Sequence, residues 1–463
     1  MDPLTRPLSR RQLLRYTAGG FALSTLAPVL AACGGEEEKP AKSGSSGAQI
    51  GGEMKLWWWG EQEAAGLKKW VEETNTKFKT KAGVDVKANL LDTGQVIPQF
   101  TNAAAAGKPP DVQFLWNGIY HMENAWLGYL EPLNGVISDE VLQKSGATAL
   151  STFEDKQYRV GWYAIGMGVA YNKKLFEKAG LDADSPPETW DDLLAACEKL
   201  KAAGAAPFGG GVKDGYLGEW WLGHALTQNL DSPADAINLF IGELDWREPR
   251  YHEHWTRLEE LYKAGFVNDD INSLELYQGI QLMDTSKLGI TTSVSTLLPA
   301  SQKQLGEDGV GFMVLPVFGT GALAGTPLLD SQGFGIPTKA ENKEAAAAWI
   351  EYIHSEERVN ALYDLVEQIP ANEGFDPAAI TNPLIKDVQE RWIKGEHLPY
   401  IPNLMPTLFW TDAMFVASQK ILGGEMTGEE AGDLAHEVTE KWKKRNPDLV
   451  ENYRTWSEDL AAV

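Results

Sequence analysis

Between residues 54 and 116 the chain switches repeatedly between a period of two and a period near 3.6, and no other feature of the sequence constrains the fold as tightly. Met54, Leu56 and Trp58 share one side of a strand, Lys55, Trp57 and Trp59 the other, and Gly60 ends the run. Leu67, Trp70, Val71 and Phe78 then recur at helical spacing up to Gly83. Residues 84–90 alternate again as a strand, a helix is expected over 96–106, and Pro109-Pro110 turns the chain into a strand over 111–116. A βαβαβ rhythm of this kind predicts an α/β fold with a parallel, doubly wound sheet, whose ligands lie beyond the carboxyl ends of the strands. Trp59-Gly60-Glu61-Gln62, Asp92-Thr93 and Trp116-Asn117 lie just past those ends and should meet at one crevice.

The rhythm returns later. Thr189 and Asp192 form a T-x-x-D cap for a helix with the apolar stripe Trp190, Leu193, Leu194, Cys197 and Leu200, broken by Pro207 to Gly211. Residues 288–291 and 310–317 read as strands of a second sheet, and 341–353 and 429–442 as amphipathic helices.

The first 32 residues read as an export signal. Arg6, Arg10, Arg11 and Arg15 face one acid, Asp2, and precede an apolar stretch too short to span a bilayer. Ser9-Arg10-Arg11-Gln12-Leu13-Leu14 is similar to the twin-arginine export motif. Leu30-Ala31-Ala32-Cys33 is similar to a lipobox, which makes Cys33 the expected lipidation site. Residues 33–50, low in complexity and rich in Gly, Ser, Glu and Lys, would tether a folded body to the outer face of the cell membrane. Cys197, left without a partner, reads as a small core residue rather than a catalytic thiol.

Composition narrows the function. The chain carries 65 acidic against 41 basic residues, a formal charge of −24; loss of the leader removes four Arg and one Asp and makes it −27. Such an excess of acid argues against a nucleic-acid partner. Hydrophobic residues, at 43%, suffice for a sizeable core. Trp, at 17, outnumbers both Phe and Tyr and points to a ligand surface built from aromatic faces. There is no H-E-x-x-H zinc motif, no phosphate loop, no dinucleotide fingerprint with correct spacing and no G-x-S-x-G elbow in the folded body. No cofactor, metal or catalytic residue is therefore expected, and a binder is favoured over an enzyme.

Several segments, in order, resemble the extracellular solute-binding proteins of bacterial ABC importers, in the sugar-binding class similar to maltose-binding protein. They are Lys108-Pro109-Pro110-Asp111-Val112, residues 170–176 (AYNKKLF) with 187–193 (PETWDDL), residues 333–337 (GFGIP) with 342–346 (NKEAA), residues 405–410 (MPTLFW), and the tail at 429–442. The resemblance implies two α/β lobes, each a sheet flanked by helices, joined by hinge strands: residues 51–163 and 325–376 in lobe 1, residues 164–324 and 377–463 in lobe 2. It further implies a monomer that captures a neutral mono- or oligosaccharide and delivers it to the permease's transmembrane subunits. The ligand-binding residues it implies are Trp59, Glu61, Trp116, Asn117, Tyr163, one or both of Trp220 and Trp221, Asp330 with Ser331 and Gln332 in a loop before Gly333, and Trp410. Trp58, on the side of Met54 and Leu56, reads as core. Glu61 is equally well placed to sit at the positive end of a helix. A surface-anchored carbohydrate-active enzyme of glycosidase type is the rival reading. A receptor for an anionic solute such as a sugar phosphate is the other; it would need clustered Lys or Arg, and Lys213 is the one base near the expected crevice.

Overall fold

A computed structural model describes residues 50–117 and 121–461. The export signal, the lipobox with Cys33 and almost all of the tether lie outside the described residues.

Among the described residues nine strands form one continuous sheet: β1 (Glu53–Trp58), β2 (Asp85–Leu90), β3 (Val112–Leu115), β4 (Val160–Asn172), β5 (Ala206–Phe208), β6 (Leu288–Val294), β7 (Val310–Met313), β8 (Leu328–Gly335) and β9 (Leu398–Pro399). Its order is β2-β1-β3-β8-β4-β6-β5, with β9 added to β8 and β7 to β4. The expected parallel arrangement holds for β2, β1 and β3, with Leu56 opposite both Ala88 and Val112. The middle is antiparallel: β8 runs against β3 and β4, and β4 against β6 and β7.

Residues 288–291 and 310–317 were expected in a second sheet. Residues 288–291 and 310–313 instead join the first, because β4 is 13 residues long and buried throughout, and 314–317 lie outside it. The first half of β4 pairs with β8, Tyr163 opposite Gln332, and its second half with β6 and β7, Ala170 opposite both Thr291 and Phe312. One strand thus serves both halves of the molecule. Gly168, near its centre, packs so closely that a Cβ there would come within 2.4 Å of the Phe312 ring.

Helices cover the sheet where their apolar stripes dictate. α1 (Leu67–Ala82) buries Leu67, Trp70, Val71 and Phe78 and ends at Gly83, whose φ of 72° a residue with a side chain would resist. α2 (Val96–Ala105) returns the chain to β3, and the short α3 (His121–Trp126) follows it. α4 (Trp190–Ala202) has the expected cap, the Asp192 amide donating to Thr189 Oγ1 at 3.3 Å, and buries Cys197, whose thiol burial pushes up to about 12. α5 (Tyr216–Leu226) is buried on every side from Leu217 onward. The helix read at 341–353 is α6 (Lys343–Ile353), capped by Asn342, and that at 429–442 is α7 (Gly428–Arg445), capped by Thr427 with Glu430. α8 (Pro447–Ala461) closes the chain. Among the described residues no helix is long and apolar enough to cross a membrane.

Candidate ligand cleft

The ends of β1, β2 and β3 gather as expected. Trp59 is buried, donates from its indole nitrogen to Thr93 Oγ1 at 2.9 Å, and meets the half-buried Trp116 edge to face at 5.4 Å. Gly60 has a φ of 129°, and a Cβ there would lie 2.9 Å from the Tyr163 hydroxyl, so this glycine lets Tyr163 approach the β1 turn.

Two carboxylates follow that turn and do different work. Glu61 accepts from the free backbone amides of Gly66, at 3.0 Å, and Lys68. It satisfies the start of α1, where the helix dipole favours a negative charge, so its oxygens are engaged by the helix. Glu63, two residues on, is buried and accepts from the Tyr163 hydroxyl at 3.1 Å, with Gln332 and Thr296 also facing it. Burial pushes its carboxyl up to about 8.

Asp330, Ser331 and Gln332 were expected in a loop. They lie within β8, because this segment is paired with β4 on one side and followed by β3 pairing at Gly333. A register shift between Gln332 and Gly333 marks the bulge that turns this strand at the centre of the molecule. Asp330 Oδ1 accepts from Asn403 Nδ2 and from the Ser331 amide, both at 2.8 Å, and Asn117 lies against the same carboxylate. Burial raises Asp330 to about 6 despite these donors. Behind it sits Arg159, fully buried, donating to Ser331 Oγ at 2.8 Å, the Ser331 carbonyl at 3.2 Å, Ser151 Oγ at 3.0 Å and the Ala147 carbonyl at 3.2 Å. Ser151 in turn donates to Asn117 Oδ1 at 3.0 Å, so the Asn117 side chain is part of this network.

The second half of the molecule supplies a third carboxylate. Glu219, in α5, accepts from the Trp410 indole at 3.1 Å, and Tyr400 donates to its backbone carbonyl at 3.2 Å. Burial again pushes the carboxyl up to about 8. The Trp410 ring stands 5.4 Å from Tyr216 and 4.5 Å from Phe415, forming an aromatic cluster. Burial, with Glu63 and Glu219 adding to it, holds the Tyr277 hydroxyl well above the ordinary tyrosine range. Trp221 is fully buried and donates to the His254 carbonyl at 2.8 Å, packed against Trp190 and Phe208. Its neighbour Trp220 is also nearly buried. Lys213 turns outward to Glu275 at 3.2 Å.

The halves also meet away from these groups. Glu123 of α3 accepts from Thr407 Oγ1 at 3.0 Å and the Tyr453 hydroxyl at 3.2 Å, and Trp126 packs edge to face on Tyr453 and Trp456 of α8.

The structure therefore brings together Trp59, Trp116, Asn117, Tyr163, Asp330 and Gln332 around the ends of β1 and β3 and the paired β4 and β8, and Trp410 with Glu219 separately. Glu61 and Trp221 are committed elsewhere, to a helix start and to the core. Sequence reasoning missed Glu63, Glu219, Arg159 and Tyr277.

The profile of bacterial extracellular solute-binding proteins matches residues 58–359. The chain belongs to that family. Over 459 residues, 96% of this chain and 98% of the relative, it is 23% identical to an uncharacterized ABC transporter extracellular-binding protein from Pyrococcus horikoshii. It is 29% identical over 198 residues, 36% of this chain and 42% of the relative, to an sn-glycerol-3-phosphate-binding periplasmic protein from Rhizobium meliloti. Among solved structures, a chitin oligosaccharide binding protein superposes with a TM-score of 0.75 at 24% identity, covering 84% of this solute-binding chain and 98% of that one. The fold is thus the two-lobed one of periplasmic sugar-binding proteins.

Proposed function

We propose that this solute-binding protein is the lipid-anchored receptor of an ABC importer for a mono- or oligosaccharide free of anionic groups. The carrying observation is the pairing of buried acceptors, Glu63, Asp330 and Glu219, with the aromatic faces of Trp116 and Trp410. A pyranose ring offers apolar C–H faces for the aromatics and a rim of hydroxyl donors for the carboxylates. A phosphate would meet three carboxylates and one arginine already engaged by Ser331, Ser151 and Ala147. This supports a ligand unlike that of the glycerol-phosphate-binding relative and nearer in kind to that named for the chitin oligosaccharide binding protein. Trp116, Asn117, Tyr163, Asp330, Gln332 and Trp410 contact the sugar in this reading, joined by Glu63, Glu219 and Tyr277. Trp59 braces Trp116 from behind.

The cleft works by population shift. A ligand touching both lobes binds the closed state better than the open one and draws the equilibrium toward it, presenting the closed form to the permease. The lobes are residues 51–163 with 325–376 and residues 164–324 with 377–463. The monomer is held at the outer face of the membrane by a lipid on Cys33 after twin-arginine export.

Thermal unfolding against sugars and their phosphates tests this reading. A sugar at 100 times its Kd adds about 2.7 kcal/mol, which a selective rise in Tm reports, while the phosphorylated analogue gives none. A rise with sugar phosphates alone would overturn it. Cys33→Ser should release the protein from the membrane fraction; retention there would refute the lipid anchor.

A further inference from the structure

Beside the strand residue Tyr163, the start of β4 backs onto a second space. Gly161 and Trp162 of β4, His354 at the end of α6, Arg358 in the first turn of the helix Glu356–Val366, and Asn372 line one cavity of about 10 Å³. That is room for a single particle of about the size of water. The rest of its lining is apolar, and no carboxylate belongs to it.

Three N–H groups on these lining residues are buried and have no acceptor: Trp162 Nε1, His354 Nε2 and Arg358 Nε. That His354 carries its proton on Nε2 follows from its neighbours. The Gly374 amide donates to Asn372 Oδ1 at 2.8 Å, which leaves the Asn372 Nδ2 group to face His354 Nδ1 at 2.9 Å. Nδ1 therefore accepts. Burial pushes the ring down to about 4 and keeps it neutral, so Nε2 is the donor. The Gly161 carbonyl approaches the ring without taking a hydrogen bond from Nε2.

Arg358 adds a charge. It is 2% exposed and thinly held: Nη1 donates to Thr74 Oγ1 at 3.4 Å, and Nη2 stands 3.5 Å from Glu357, an exposed carboxylate that also pairs with Lys77. Buried donors left unmet, one of them on a guanidinium, are costly until a bound acceptor satisfies them. A water molecule accepts two hydrogen bonds and brings two donors of its own. A monoatomic anion accepts from all three N–H groups and offsets the guanidinium charge, in the first turn of a helix, where negative charge is already favoured. Phosphate, sulfate and carboxylate ligands are too large for the space.

We infer that this cavity is a halide site, filled by chloride in solution, which ties β4 to the two helix ends behind it. It is separate from the cleft and does not rest on the carbohydrate reading.

Bromide can replace chloride and is visible by its anomalous scattering. Crystals of the full chain grown in sodium bromide should show an anomalous peak between Trp162 Nε1, His354 Nε2 and Arg358 Nε. In solution, exchanging gluconate for chloride at constant ionic strength should raise Tm by about 2 °C, as for a site filled at millimolar halide. Arg358→Met keeps most of the apolar stem and should abolish that rise; the wild-type crystals decide the question even where this variant does not fold. A water at the site without bromide signal, or a Tm that follows ionic strength whichever anion is present, would overturn the inference.

Discussion

Replacing Glu63 by glutamine should stabilise the ligand-free protein, and by an amount that grows with pH. In the unfolded chain Glu63 titrates at its ordinary value of 4.5, and in the fold at about 8. Below the lower value both states hold the proton and the carboxyl costs nothing. Between the two, the folded state keeps a proton that the unfolded state has lost. Stability therefore falls as pH rises, at about 1.4 kcal/mol per unit, until the folded group ionises. The full loss is on the order of 5 kcal/mol, about 4 of it between pH 5 and pH 8. Glutamine does not titrate, and its oxygen still accepts from the Tyr163 hydroxyl. Denaturant unfolding of both proteins at pH 5, 6, 7 and 8 should show near-equal stability at pH 5 and a widening advantage for Glu63→Gln above it. A difference that stays flat with pH, or a wild-type protein that is the more stable at pH 8, would refute the burial argument.

Trp410→Ala should weaken sugar binding by about 10- to 100-fold, which is about 1.4 to 2.7 kcal/mol, measured by calorimetry with circular dichroism showing the fold kept. Glu61→Ala should cost about 1 kcal/mol of stability through the lost helix-start hydrogen bonds and leave the Kd unchanged; a tenfold rise in Kd would return Glu61 to the binding site. Glu123→Ala removes the acceptor shared by Thr407 and Tyr453. Small-angle scattering should then show a larger radius of gyration without ligand, and sugar should restore the compact form.

The parallel part of the sheet, most helix stripes and the helix start at Thr189 were legible because each is set by residues close in sequence. What escaped depends on contacts between distant segments. Glu61 and Glu63 are both acids after the same strand. Gly66, with a φ of 110°, gives the helix an exposed start that claims the first and leaves the second to turn inward toward Tyr163. Glu219 has no polar stripe to announce it, because α5 is buried around its whole circumference. A single sheet replaced two because nothing local in residues 160–172 says that one strand will pair with β8 at its start and with β6 and β7 at its end. The same pairing drew Asp330 and Gln332 out of a loop and into a strand. Trp220 and Trp221 are adjacent on a wholly buried helix, where periodicity cannot assign a side; the hydrogen bond to His254 places Trp221 in the core.

Native mass spectrometry of the full chain with a panel of sugars, amino sugars and sugar phosphates tests the central claim most directly, since it reads occupancy and chemical fate together. A receptor with one cleft should show a single adduct per chain, of a sugar without phosphate, whose mass is unchanged after hours of incubation and whose signal is weakened in Trp410→Ala. An adduct confined to sugar phosphates, or a sugar mass that splits into hydrolysis products as the incubation proceeds, would contradict it.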